Sequence, residues 1–145
     1  MCGRFVRISQ VPVVAKRFQA EASTDAKPSY NIAPRQDVVM VANTDRRKLF
    51  ASRWGFLPSW AKNPSMGTKM INARSETASV KPAFRHALKH HRCLIVADGF
   101  FEWETRAGKK YPFYIHTREQ GPFGFAGLLQ SLGVITGRYC THLQP

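Results

Sequence analysis

A cysteine directly behind the initiator methionine, in Met1-Cys2-Gly3-Arg4-Phe5, becomes an N-terminal 1,2-aminothiol once the methionine is removed. An α-amine condenses reversibly with an aldehyde, and the adjacent thiol can then close on the imine carbon to give a five-membered thiazolidine. The ordinary α-amine pKa of about 7.7–8.0 leaves roughly one amine in ten unprotonated near pH 7, and a thiol near 8.5 is ionised still less. Chemistry at Cys2 therefore needs neighbours that manage protons. Without them a second-position cysteine is a small hydrophobe, as most free cysteines are.

Two residue types elsewhere suit that role. Glu102 stands inside Phe100-Phe101-Glu102-Trp103, where burial would raise a carboxyl pKa toward a range useful for proton transfer. The alternative is a carboxylate that faces solvent or pairs with a lysine. Asn72, beside Arg74, can hold an amine without fixing its charge, or can simply form a turn. Arg4 and Arg74 carry the planar fork that grips phosphate. Trp54, Trp60 and Trp103 could stack on bases, although tryptophans are more often core residues. The histidines have no metal-ligand spacing, and no glycine-rich phosphate loop or nucleophile elbow is present.

The whole chain supports an anionic partner. Its 145 residues hold 22 Lys plus Arg against 9 Asp plus Glu, a net charge of +13, which attracts polyanions and nucleic acid above all. Between Glu76 and Asp98 there is no acidic residue, while Lys81, Arg85, His86, Lys89, His90, His91 and Arg92 crowd one segment. Cys2, Cys93 and Cys140 form no paired framework, which points to a reducing compartment. The sequence has no apolar run long enough for a bilayer and no signal segment. The expectation is a cytoplasmic monomer, nucleoid-associated when bound to DNA, with no cofactor, metal or membrane.

These residues must be positioned by short elements. Residues 9–20, opening on Ser9 with Pro12 in the first turn, suit an amphipathic helix. Residues 29–34 read as irregular. Val38–Ala42 and Lys48–Trp54 read as a hairpin around a polar turn at 44–47. Residues 55–70, rich in proline and glycine, read as a structured loop. Ser79 is a plausible cap for a helix with Pro82 in its first turn. Cys93–Ala97 and the aromatic run after Asp98-Gly99 read as two buried strands about a turn or bulge, with further strands at Tyr111–His116 and Phe123–Leu129. The class is α+β, a β-rich core of mainly antiparallel strands with a few peripheral helices.

Taken in order, Met1-Cys2-Gly3-Arg4-Phe5, Tyr30-Asn31-Ile32-Ala33-Pro34, Trp54-Gly55-Phe56-Leu57-Pro58, Ile71-Asn72-Ala73-Arg74-Ser75-Glu76-Thr77 and Ala97-Asp98-Gly99-Phe100-Phe101-Glu102-Trp103 closely resemble the SOS response-associated peptidase (SRAP) family. The likeness covers 1–130, an SRAP-like domain, and leaves 131–145 as a divergent tail. The resemblance implies a sensor of abasic sites in single-stranded DNA. Cys2 would be the nucleophile that links to the opened sugar, Asn72 would hold its amine, and Glu102 would shuttle protons. Arg4 and Arg74 match positions that grip DNA phosphates, and Pro34 and Trp60 lie in loops that wedge and stack against bases. The family also implies removal of Met1, by self-processing or by an aminopeptidase.

The likeness ends before the His-x-Arg-x-Pro-like motif that supplies a family histidine. His142 lacks that arginine and spacing, so the role does not pass to it. The fold is then expected to be incomplete at the C-terminus, with an open edge near Phe123–Leu129, and proton transfer slower by about 100-fold or more. Two functional readings follow. One is covalent capture of abasic sites; the other is a basic single-strand-binding module without the chemistry.

Overall fold

A computed structural model describes residues 3–42, 46–130 and 133–138 of the chain. Two sheets carry the fold. The smaller has the order β3-β1-β8-β9, from β1 (Phe5–Arg7), β3 (Ser29–Ile32), β8 (Gly99–Arg106) and β9 (Lys109–His116). The larger has the order β2-β5-β4-β7-β10-β11-β6, from β2 (Glu21–Ala22), β4 (Asp37–Ala42), β5 (Lys48–Arg53), β6 (Asn72–Arg74), β7 (Arg92–Ala97), β10 (Phe123–Gln130) and β11 (Gly133–Arg138). Pairing is antiparallel except for β2 with β5 and β11 with β6. The helices α1 (Val11–Phe18), α2 (Ser75–Ala78) and α3 (Arg85–His90) are short and peripheral. The α+β, β-rich architecture expected from the sequence is present. Among the described residues no helix is long and apolar enough to cross a membrane.

Strand alternation divides the apolar residues between two faces of the larger sheet. Val38, Met40, Cys93, Ile95 and Ala97 meet Phe5 and Ile32 of the smaller sheet in one core. On the reverse face, Val39, Val41, Leu49 and Val96 are covered by Val14 of α1. Beside them Phe56, Ala73 and Leu128 pack under Ala78, Phe84 and Ala87 from the α2–α3 region.

Trp54 ties these pieces together. Fully buried, its ring lies 5.2 Å from that of Phe5 at a 56° tilt. Its indole N–H donates to the Ile71 carbonyl at 2.8 Å. Its backbone N–H donates to the Gln36 carbonyl and its carbonyl accepts from Arg35 N–H, both at 2.8 Å. One residue therefore fixes the start of β1, the turn at 33–36 and the entry to β6.

A second anchor joins the sheets where β7 passes into β8. Asp98 is buried and accepts from Ile8 N–H at 2.6 Å, from Ser9 N–H at 2.8 Å and from the Ser9 hydroxyl. Arg7, also buried, donates to the carbonyls of Ser9 at 2.9 Å, Ala26 at 3.2 Å and Lys27. Burial lowers the Arg7 pKa and the nearby Asp98 charge opposes that shift. The carboxylate thus offsets part of the cost of a buried guanidinium. Beside this pair a Cβ on Gly99 would overlap the Tyr114 ring, so the crossover needs glycine for close approach. Burial, and secondarily Asp98, raises the Tyr114 pKa.

Several expectations change. Residues 29–32 form β3 rather than an irregular segment, because the free edge of β1 pairs with them. Ser9 does not cap α1, its hydroxyl being committed to Asp98. Ser79 follows α2 and α3 begins at Arg85; Pro82 disfavours the helical conformation at Lys81 and breaks the run. The two strands read about a turn or bulge at Asp98 are present but lie in different sheets, and the outer half of β8 is exposed rather than buried. The predicted open edge at Phe123–Leu129 is closed only in part: β10 pairs with β7 along 123–128, and on its other side with β11 along 127–130. The hairpin of β4 and β5 is as read, with Thr44 and Asp45 of its turn outside the described residues.

Three outcomes follow from this packing. Trp54→Phe strands the Ile71 carbonyl and loses ring volume, so unfolding in urea shows a loss of about 2 kcal/mol; an unchanged midpoint contradicts its anchoring role. Asp98→Ala removes three hydrogen bonds and leaves Arg7 without its offsetting charge, and the same measurement gives about 3 kcal/mol or more. Burial pushes the Cys93 thiol up to about 12 from 9.0. Its neutral form contributes stability that is fully present below pH 9 and lost as pH rises toward 12. Alkylation mapped by mass spectrometry at pH 8 accordingly leaves Cys93 unmodified until denaturant is added.

Candidate active site at the opening between the sheets

Backbone register brings the predicted site segments toward one space. The Arg4 carbonyl accepts from Phe101 N–H at 2.9 Å, continuing the Phe5–Phe100 pairing toward the chain start. Glu102 is the next residue along β8. It shares the face of Phe100, which packs against the core between the sheets, and it is half-buried. On the larger sheet Asn72 pairs with Thr136, Thr136 with Gly127, and Gly127 with Cys93. Residues in one transverse row share a face, so Asn72 points to the same side as Cys93, into the inter-sheet region. Arg74 follows on that face and is exposed. Ala73, between them, points the other way, into the cluster with Phe56 and Phe84.

Pro34 and Trp60 lie on loops tied to Trp54, and Arg4 precedes β1. Pro34 is half-buried in the turn closed by Gln36, whose side-chain oxygen accepts from Ala33 N–H at 2.8 Å. Trp60, 56% exposed, sits on the loop that leaves Trp54 at Gly55. That loop is pinched shut where Phe56 N–H donates to the Met70 carbonyl at 2.9 Å. Gly55, at φ +154°, would place a Cβ 2.9 Å from the Gly67 carbonyl oxygen, so the closure requires glycine. Arg4 is exposed and donates to Asn31 Oδ1 at 2.9 Å, which steers its guanidinium along the edge of β3. Cys2 and His142 lie outside the described residues.

Glu102 has an aromatic and charged surround. It pairs in register with Phe113 of β9. On the same face Arg106 is bound to Glu104 at 2.7 Å and sits 5.8 Å from the Phe113 ring centroid. The hydrogen bond that Arg106 donates to Glu104 raises the Arg106 pKa, and burial acts against it. Arg106 is thereby committed to Glu104.

The tryptophans divide. Trp54 is core, whereas Trp60 and Trp103 are exposed and available to flat partners. The histidines at the end of α3 cluster, with ring centroids of His86 and His90 4.9 Å apart and His91 5.3 Å from His86. Desolvation, then His86, Lys89 and His91, lower the His90 pKa. Among the described residues no three His, Cys, Asp or Glu side chains form a group suited to a metal. Residues that composition gave no reason to single out, Arg7 and Asp98, position the site without lining it. Their role depends on contacts distant in sequence.

Comparison with known proteins identifies the family and the fold. The family model described as SOS response associated peptidase (SRAP) matches residues 1–142. The chain is 41% identical over 135 residues to the abasic site processing protein YoqW of Bacillus subtilis (strain 168), covering 90% of this chain and 60% of that protein. It is 33% identical over 135 residues to the abasic site processing protein YedK of Escherichia coli (strain K12), covering 88% and 59%. A crystal structure of a protein from Bordetella bronchiseptica superposes with a TM-score of 0.76 at 26% identity, covering 94% of this chain and 69% of that one. The chain spans about 60% of the length of the curated relatives it matches. With a family match over nearly its whole length and a sandwich of the same fold, the chain belongs to the SOS response associated peptidase family.

Proposed function

We propose that this chain captures abasic sites in single-stranded DNA through Cys2. The observation that supports the reading is that Glu102 of β8 and Asn72 of β6 both face the inter-sheet side of their sheets, with the segment that leads back to the N-terminus bonded beside Glu102. The similar relatives are named for abasic site processing.

The chemistry begins with hydrolysis of the Met1–Cys2 peptide bond, which frees the α-amine. The amine attacks the aldehyde carbon of the ring-opened sugar, and loss of water gives an imine. The Cys2 sulfur then adds to that carbon while the imine nitrogen takes up a proton, closing a thiazolidine. Capture of the aldehyde by the freed N-terminus releases one water, and nothing is oxidised or reduced. Asn72 orients the amine through its amide, which can accept from it without charging it. Glu102 takes a proton from the attacking amine and returns one to the departing water. Arg4, just before β1, and Arg74, at the end of β6, are both exposed and hold phosphates. Pro34 and Trp60, on loops anchored at Trp54, pack against neighbouring bases, with stacking worth about 1–3 kcal/mol per base.

The test incubates protein of verified N-terminus with single-stranded DNA carrying one abasic site and resolves the products on a denaturing gel. A band that survives denaturation is expected. Glu102→Gln forms it about 100-fold more slowly, and Asn72→Ala also slows it. Cys2→Ala keeps the amine, so it gives a product only when borohydride reduces the transient imine. A mature protein that binds this DNA but never forms the adduct is instead a basic single-strand-binding module, and the proposal fails.

A further inference from the structure

The reverse face of the larger sheet, turned away from the inter-sheet opening, carries a cleft of about 400 Å³. Its floor is Phe18 from the end of α1 with Val41 and Leu94 from adjacent strands. Val41 belongs to the cluster under α1, and Leu94 alternates with Cys93 and Ile95 of the inter-sheet core. The cleft therefore opens on the opposite side of the sheet from Asn72. Three arginines surround it: Arg17 on the last turn of α1, Arg47 before β5 and Arg92 at the start of β7.

The electrostatics of this cleft are one-sided. No carboxylate occurs among its described lining residues. Arg47 donates to the Phe18 carbonyl at 3.2 Å, which holds its guanidinium at the negative end of α1 and offsets a field that would repel an anion. Arg17 and Arg92 have no ion-pair partner among the described residues. Three guanidinium groups of one sign over an apolar, partly aromatic floor fit a ligand that joins phosphate to a flat, weakly polar body. The volume lies in the range of small-ligand sites, and inorganic phosphate alone would leave the floor uncovered. The Cys93 thiol packs in the inter-sheet core and adds no reactive group to the cleft.

From this geometry we infer that the cleft bounded by Arg17, Arg47 and Arg92 binds a nucleotide unit, its phosphate on the arginines and its base against Phe18 and Leu94. The unit is either a free nucleotide or part of a strand that passes around the sheet. This site is distinct from the one assigned to abasic-site capture and does not depend on that reaction.

The experiment uses DNA without any abasic site, so failure of capture leaves it interpretable. Binding of deoxyadenosine monophosphate and of an intact single-stranded oligonucleotide is measured for the wild-type chain and for the double variant Arg17→Gln/Arg92→Gln. A second double variant, Lys109→Gln/Lys110→Gln at the tip of the β8–β9 hairpin, removes the same charge elsewhere. If free nucleotide is the ligand, the arginine variant binds the monophosphate at least about tenfold more weakly. If the unit belongs to a strand, the slope of log affinity against log salt for the oligonucleotide falls by about 0.7 per arginine removed. Either result supports the site, provided that the lysine variant leaves the same quantity unchanged and both variants unfold at the wild-type midpoint. Equal losses in the two variants, or no loss in the arginine variant, overturn it.

Discussion

The contact on which the site depends is the buried Trp54 ring against Phe5, together with the bond from its indole N–H to the Ile71 carbonyl. Phe5 is three residues from Cys2, and Ile71 immediately precedes Asn72. Trp54's backbone bonds also set the turn that carries Pro34, and the loop that carries Trp60 starts at the next residue. Segments separated by up to seventy residues of sequence thus share one rigid reference. A polar tip on a large apolar body makes tryptophan suited to this task, since the ring fills volume while the N–H satisfies a carbonyl at the edge of the core.

The rest of the architecture sets the two sheets in relation to that reference. Asp98 and Arg7 sit where the chain leaves the larger sheet for the smaller, and their hydrogen bonds run to the segment entering α1 and to the carbonyls at 26–27. A buried guanidinium is costly unless its donors and charge are met, so this pair favours one route of the chain over others. The route puts Glu102 on the inter-sheet face of β8. The lateral chain of pairings from β7 through β10 and β11 to β6 puts Asn72 on the facing side. The reverse of the larger sheet is left to α1, to the α2–α3 region, and to the arginine-lined cleft over β4 and β7.

Much of this was legible in the sequence where local signals dominate. The β-branched run at Val38–Ala42, the aromatic run after Gly99 and the glycine- and proline-rich loop at 55–70 each fix local geometry. The ordered motifs around Asn72 and Glu102 were sufficient to nominate them. What was not legible depends on distant partners. Tyr30-Asn31-Ile32 has no strong strand signal and becomes a strand because the edge of β1 lies beside it. Ser9 has the look of a helix cap, yet its hydroxyl goes to a carboxylate 89 positions away. Arg7 is a charged residue near a chain terminus, and nothing in its neighbourhood announces that it is buried. Trp54 resembled Trp60 and Trp103 as a candidate stacking residue; the core took one and left two exposed.

The most direct test of covalent capture at the N-terminus is the mass and attachment site of the product formed with single-stranded DNA bearing one abasic site. After nuclease and protease digestion, the modified peptide should begin at Cys2, have lost Met1, and carry the sugar remnant with the loss of one water. Its thiol should be resistant to alkylation. A remnant mapped to a lysine, or an N-terminal peptide with an alkylatable thiol, contradicts thiazolidine formation at Cys2.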